Sequence, residues 1–313
     1  MGKVVGAGSL IVDITGYTPH MPVEGETVLG TTVRFGPGGK GNNQMTAAHR
    51  AGVESVIISA VGDDFLSSIM TNHYKNEGMK NDYIKVVNGG ETGSALIEVD
   101  DEGKNRIIVV KGANEGICRE DVMAAEAEFE NADVVLVQLE TSHESIIACK
   151  ELAKKYGKPF ILNPAPFQEI PDGLLDGVDY LTPNETEAEF FTGVKVETVE
   201  DASKAADVLL AKGVKNVVIT LGKAGAYYKN ATESRHIEGI TVNAIDTTGA
   251  GDAFNGGFAA AKALGMPTDK ALCYANCVGA LSVTKRGTAP AMPHIPEIKE
   301  FMKKYYNMEV TEV

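Results

Sequence analysis

Apolar and polar positions follow two different rhythms along this chain, and the change of rhythm predicts its architecture. Lys3 to Gly8 is a short apolar run ending in glycine, as expected of a buried parallel strand whose carboxyl end opens onto a site. Thr27 to Phe35, Thr92 to Val99 and Arg106 to Val110 are alternating or β-branched segments set between glycine and Asp-Glu-Gly turns. These strands, drawn from about 11–35 and 92–111, stand apart from the rest of the chain and predict a small sheet serving as a lid. From Glu54 onward the rhythm is α/β. Strands at Val56–Val61, Val134–Leu139, Phe160–Asn163, Tyr180–Thr182 and Val217–Leu221 alternate with helices near Phe65–Glu77, Glu144–Tyr156, Glu185–Phe191 and Ala202–Lys212. Apolar strands separated by amphipathic helices predict a mostly parallel central sheet covered on both faces, a three-layer αβα arrangement within a single domain spanning 1–313. In such sheets ligands bind beyond the carboxyl ends of the strands. Asp13, Glu140, Asn163, Asn184 and Gly222 fall there. The tail from Met308 is expected to fray.

Composition narrows the partners. Lys and Arg total 29 against 43 Asp and Glu, a formal charge of −14, which disfavours nucleic acid and anionic membrane surfaces. The four cysteines, Cys118, Cys149, Cys273 and Cys277, make no Cys-x-x-Cys pair and read as buried free thiols of a reducing compartment. The first strand has no charged-then-apolar leader before it, and no run approaches the roughly 18 apolar residues of a membrane span. A cytoplasmic protein is expected. The six histidines lack ligand spacing, which argues against a zinc site.

The densest chemistry is in Asp246 to Gly257, Asp-Thr-Thr-Gly-Ala-Gly-Asp-Ala-Phe-Asn-Gly-Gly. Ile240 to Ile245 alternates like a strand end before it, and Ala253 to Leu264 has helical spacing after it. Gly249, Ala250 and Gly251 would then present backbone N–H groups at a helix N-terminus, an anion site. Asp252 in the first turn could cap the helix or take a proton from a nucleophile. A second glycine loop, Gly36 to Gln44, runs into a helix from Met45 to Ala51, and Lys40 lacks the following hydroxyl of a Walker A loop. It is either a ligand-contacting loop with Lys40 and Asn43 as polar groups, or a strand-to-helix turn capped by Asn. Asn184 and Glu187 read equally as a capping pair or as holders of a magnesium water shell. Thr220 to Gly225 is a strand followed by a glycine turn able to line a nucleotide. Gly6-Ala7-Gly8 is no dinucleotide fingerprint, since the third glycine would fall at Ile11 and no helix comes after it.

Together, Gly38-Gly39-Lys40-Gly41-Asn42-Asn43-Gln44, the Asp246-to-Gly256 run, Leu162 to Pro166, Thr182 to Glu189, Thr220 to Gly225 and Val283 to Gly287 resemble the PfkB family of carbohydrate kinases, and within it the ribokinase branch. The resemblance covers nearly the whole chain. It implies a ribokinase-like fold and transfer of the ATP γ-phosphoryl group to a primary hydroxyl of a small sugar, with D-ribose first and deoxyribose, fructose, other ketoses or nucleosides as alternatives. A sugar- or nucleotide-binding regulator without catalysis is the rival class. Asp252 would match the catalytic base, with Gly249, Ala250 and Gly251 as the anion hole. Asp13, Gly39, Lys40, Asn43 and Glu140 would match sugar contacts, and Asn184, Thr220, Gly222, Gly225 and Asn276 nucleotide contacts. Glu187 would order Mg²⁺ through water. Asp246, Thr248, Ser282, Lys285 and Gly287 would match a site for a monovalent cation such as K⁺. A homodimer through the lid is implied. Two positions depart from the pattern: Ile11 stands where these kinases usually carry Asn, and Ala291 where a hydroxyl is common near the cation. The first bears on the choice of sugar and the second leaves potassium dependence open.

Overall fold

The computed structural model describes residues 2–310. Along the chain come β1 (Lys3–Ala7), β2 (Ile11–Thr18), β3 (Thr32–Gly38), α1 (Lys40–Arg50), β4 (Glu54–Gly62), α2 (Ser67–Glu77), β5 (Ile84–Val87), β6 (Gly93–Asp100) and β7 (Asn105–Val110). Next are α3 (Arg119–Ala124), α4 (Glu126–Glu130), β8 (Val134–Val137), α5 (His143–Lys155), β9 (Phe160–Leu162), β10 (Tyr180–Leu181), α6 (Glu185–Thr192) and α7 (Val199–Ala211). The last elements are β11 (Asn216–Thr220), β12 (Gly225–Asn230), β13 (Ser234–Glu238), α8 (Ala250–Ala263), α9 (Thr268–Ser282) and α10 (Ile295–Tyr306).

Among the described residues one sheet has nine strands in the order β13-β12-β11-β10-β9-β8-β1-β4-β5. The run from β5 to β11 is parallel, while β12 and β13 close the edge as an antiparallel hairpin. Alternation along β1 splits the core: Val4 packs into one apolar cluster with Phe258 and Leu272, and Val5 into another with Ile146 and Leu152. This is the three-layer architecture. Chain order reverses at β1 and β8, so the crevice beyond their carboxyl ends is the switch point where such sheets bind ligands. β1 leads through residues 8–10 into a second, separate sheet, β3-β2-β6-β7. Its β2–β6 pair is parallel and the other two pairs are antiparallel.

Several local expectations are corrected. The strand expected at Thr27 starts only at Thr32 and runs through Gly38. The helix expected from Met45 begins at Lys40, because Gly39 at φ 89° turns the chain and a neighbouring carboxylate receives the first free N–H. Asn43 is therefore inside the helix and is not its cap. Ile240 to Ile245 forms no strand; it is the connection that carries the chain from β13 to α8. Cys118 is only half-buried, whereas the other three thiols are buried and free. Nor does the tail fray at once. Met308 N–H donates to Met302 O at 3.2 Å, and Met308 and Val310 pack on the core, while 311–313 lie outside the described residues. Among the described residues no helix is long and apolar enough to cross a membrane.

Candidate active site

Two helix N-termini, α1 and α8, converge on the crevice. Each is entered through a glycine at positive φ, 89° at Gly39 and 78° at Gly249. They pack closely because Gly256 has no Cβ to collide with the Gln44 carbonyl. Asp252, in the first turn of α8, is 7% exposed. Its Oδ2 accepts from Asn43 Nδ2 at 3.0 Å and its Oδ1 from Gln44 Nε2 at 2.9 Å. The Asn43 Oδ1 is buried and has no partner, which leaves an acceptor for a hydroxyl.

At the N-terminus of α1, Glu140 Oε2 accepts the Lys40 N–H at 2.8 Å and also the Ser9 hydroxyl, so this carboxylate caps the helix. Burial pushes the Glu140 carboxyl up, against the pull of Lys40. Asp13, on the same face of β2 as Ile11, accepts from Thr288 Oγ1 at 2.9 Å, and burial pushes it up to about 6. Lys40 is half-buried among carboxylates. Burial pulls its ammonium down, but Asp252, Glu140 and Glu187 outweigh that and hold it above the usual range.

A cavity of about 170 Å³ runs from Lys40 and Asp252 past the Gly249–Gly251 turn to Asn184, Glu187 and Thr220. Asn184 and Glu187 form the reciprocal cap of α6, each accepting an N–H from the other at 2.8 Å. Of the two readings of this pair, the cap is what the structure shows. Glu187 is pushed up to about 7 by burial, with Asp252 adding like charge. Thr220 ends β11, with its N–H on Pro183 O at 2.9 Å. Gly222 lies in a short 3₁₀ turn, and Gly225 sits where a Cβ would strike the Ile237 carbonyl, so the β12–β13 hairpin alone requires that glycine. Asn276 reaches the same end from α9, its amide donating to Glu238 O at 3.1 Å and to Tyr306 Oη at 3.2 Å.

One part of the anion site differs from expectation. The Ala250 N–H donates to Thr247 O at 3.3 Å, so the turn uses one of the three N–H groups itself. At the cation positions, Asp246 accepts from Thr248 N–H and Gly287 N–H, both at 3.0 Å. Ser282 Oγ donates back to Gly279 O, and Lys285 Nζ pairs with Glu297 at 2.7 Å, so neither side chain turns to the cation loop. Ala291 is buried. Sequence reasoning missed Ser9, Thr288, Asn255, Thr182 and Gln138 as parts of the site. Asn255 and Thr182 lie within the quoted motif stretches and line the cavity directly, whereas Ser9, Thr288 and Gln138 lie outside any motif and reach the site through hydrogen bonds to Glu140, Asp13 and Gln44. A larger groove, about 540 Å³, opens at the start of β9, but Lys150 there spends its donors on the Gly173, Leu174 and Asp176 carbonyls.

Residues 1–295 match the model of the pfkB family carbohydrate kinases. The chain belongs to this family. As a PfkB kinase it is 40% identical to the ribokinase of Haemophilus influenzae, over 95% of this chain and 97% of that one. It is 34% identical to the deoxyribokinase of Salmonella typhi, over 94% and 97% of the two chains. The solved structure of Arabidopsis thaliana ribokinase complexed with ribose and ATP superposes with a TM-score of 0.89 at 32% identity, covering 96% of this PfkB chain and 99% of the other.

Proposed function

We propose that this PfkB kinase phosphorylates the primary hydroxyl of D-ribose with ATP, giving ribose 5-phosphate and ADP, in the cytoplasm. The observation that carries the reading is the buried Asp252 carboxylate, fixed by two amides at the N-terminus of α8. Asp252 takes the proton of the sugar hydroxyl, the freed oxygen bonds to the γ-phosphorus, and the bond to the β–γ bridging oxygen breaks. Gly249 and Gly251 N–H groups with the α8 dipole receive the charge of the moving phosphoryl, and Lys40 adds a cation beside it. Asp13, Asn43 and Glu140 orient the sugar, with the Gly39 backbone at their side. Asn184, Thr220, Gly222, Gly225 and Asn276 line the way to the nucleotide.

A divalent cation fits the donor set, because Glu187 is a buried carboxylate that lines the cavity and makes no salt bridge among the described residues, with Lys40 acting on it only at longer range. Glu187 would hold Mg²⁺ through water, and the ion would neutralise charge on the ATP phosphates. For K⁺ the fit is looser. Ile245 and Asp246 N–H already reach Val283 O, and Gly287 N–H reaches Asp246, so the two loops are joined by the protein itself. We assign K⁺ an enhancing role through carbonyls beside Asp246, Thr248, Ser282, Lys285 and Gly287. A homodimer through the lid is part of the reading: Phe35, Ile14, Leu96 and Ile108 are register neighbours across four strands, and the three other than Ile14 are 46–64% exposed.

The test is ADP release with Mg²⁺, with and without K⁺, over ribose, deoxyribose, fructose, other ketoses and nucleosides. Ribose should give the highest kcat/KM. Binding of sugar and ATP by calorimetry with no ADP from any acceptor would instead establish the regulator. A monomeric mass by light scattering at micromolar concentration would refute the dimer.

A further inference from the structure

Gln44 and Gln138 are buried, at 0% and 1% exposure, and neither lines the 170 Å³ cavity. They form a chain behind Asp252. Gln44 Nε2 donates to Asp252 Oδ1 and to Asn163 Oδ1, both at 2.9 Å, and Gln138 Nε2 donates to Gln44 Oε1 at 2.7 Å. Chemistry sets the order of these contacts. An ionised carboxylate only accepts, so the nitrogen of Gln44 must face Asp252 and its oxygen must face away. That oxygen needs a donor, which turns the nitrogen of Gln138 toward it. The Gln138 Oε1 is then left buried against Gly8 with no partner. A buried acceptor without a partner is unfavourable, and an apolar side chain of similar volume would avoid it. The fold keeps an amide there whose donor end orients Gln44. The backbone of Gln44 is held as well, since its carbonyl runs against Gly256.

We propose that Gln138 and Gln44 are positioning residues for phosphoryl transfer: Gln138 fixes the amide of Gln44, and Gln44, opposite Asn43, fixes the plane of the Asp252 carboxylate toward the sugar hydroxyl. This rests on the reading of Asp252 as the base. With one oxygen held from each side, the carboxylate cannot rotate, and a free lone pair stays aimed into the cavity. Neither glutamine contacts substrate, so the chain acts on the chemical step and leaves both binding surfaces alone.

The experiment compares Gln44→Met, Gln138→Met and the double variant by thermal melting and by kcat and KM for ATP and ribose. Misaimed catalytic groups cost up to roughly 10²-fold in rate. Gln44→Met should lose roughly ten- to a hundredfold in kcat on that scale, with both KM values within about twofold of wild type. Gln138→Met should lose less, again in kcat alone, and the double variant should match Gln44→Met, because the effect of Gln138 passes through Gln44. If Gln138→Met does not fold, the kcat-against-KM split of Gln44→Met decides. Wild-type kcat in Gln44→Met, losses that multiply in the double variant, or losses confined to KM would overturn the proposal. An inactive Asp252→Asn beside any of those results would refute the chain of glutamines only, whereas an active Asp252→Asn would remove the base and the proposal together.

Discussion

The N-termini of α1 and α8 are built alike and used differently. Both come after a glycine at positive φ, both face the crevice at the β1–β8 switch point, and both carry another glycine two residues on, Gly41 and Gly251. At α1 the protein supplies its own anion, since Glu140 accepts the Lys40 N–H. A Cβ on Gly41 would run into the backbone of Gly8 and Ser9. At α8 no side chain caps the helix, and a Cβ on Gly251 would meet nothing within 4 Å. One helix end is closed by the fold and serves to place Lys40, Asn43 and Gln44. The other stays open, where the proposed reaction places the phosphoryl group, with Asp252 held between the two.

Paired substitutions break this comparison most sharply. Gly251→Ala should keep or slightly raise the melting temperature, as alanine favours a helix by about 0.5–1 kcal/mol over glycine, while kcat falls because the methyl enters the phosphoryl space. Gly41→Ala should do the reverse first, destabilising the fold by about 1–3 kcal/mol or more through overpacking. Melting curves beside single-substrate kinetics separate the two, and equal stability of both variants would erase the distinction.

The open end also carries a charge whose burial outweighs the relief from Asn184 N–H and Lys40. Burial raises the folded-state Glu187 to about 7, so its contribution to stability is complete below the ordinary glutamate range and is lost as pH rises through about 7. Glu187→Gln keeps the cap on Asn184 and escapes that loss. It should be more stable than wild type by about 1–3 kcal/mol near pH 8, with the gain fading toward pH 4, and should need more Mg²⁺ for half-maximal activity. Melting without Mg²⁺ from pH 4 to 8 checks the sign.

On the closed side, Asp13 is raised to about 6 by burial. In the proposed role of Asp13 as a sugar contact, its charged form is the better hydroxyl acceptor, so KM for ribose should rise as pH falls through about 6, and Asp13→Asn should flatten that limb. The smallest effect concerns Ile11. Restoring an amide with Ile11→Asn adds one hydrogen bond worth about 0.5–1.5 kcal/mol, which should improve ribose over deoxyribose by up to roughly tenfold in kcat/KM. An unchanged order of sugars would show that Ile11 does not shape the pocket.

The two helix ends were not equally legible in the sequence. Glycine spacing and the acid at Asp252 announce α8, because an open N-terminus needs only local residues. The α1 end was harder to read. Glu140 lies 100 residues from the N–H that it caps, and the chain from Gln138 through Gln44 to Asp252 joins three separate elements. Periodicity found the inner parallel strands, which are largely buried, but not the parallel edge strand β5, whose residues are only partly buried. It also missed the β12–β13 hairpin, whose Tyr227, Tyr228 and Lys229 mix apolar and polar positions, and it read a strand end at Ile240–Ile245, which joins no sheet and connects β13 to α8. Propensity names segments, and tertiary pairing decides which of them become strands.

The central claim is that Asp252, held at the open end of α8, is the base of the kinase reaction. The most direct measurement is turnover of Asp252→Asn at saturating ATP, Mg²⁺ and ribose, with ligand binding followed by calorimetry. The account predicts a loss of roughly 10² to 10⁴ in kcat with both ligands still bound. Near-normal turnover in that variant would contradict it.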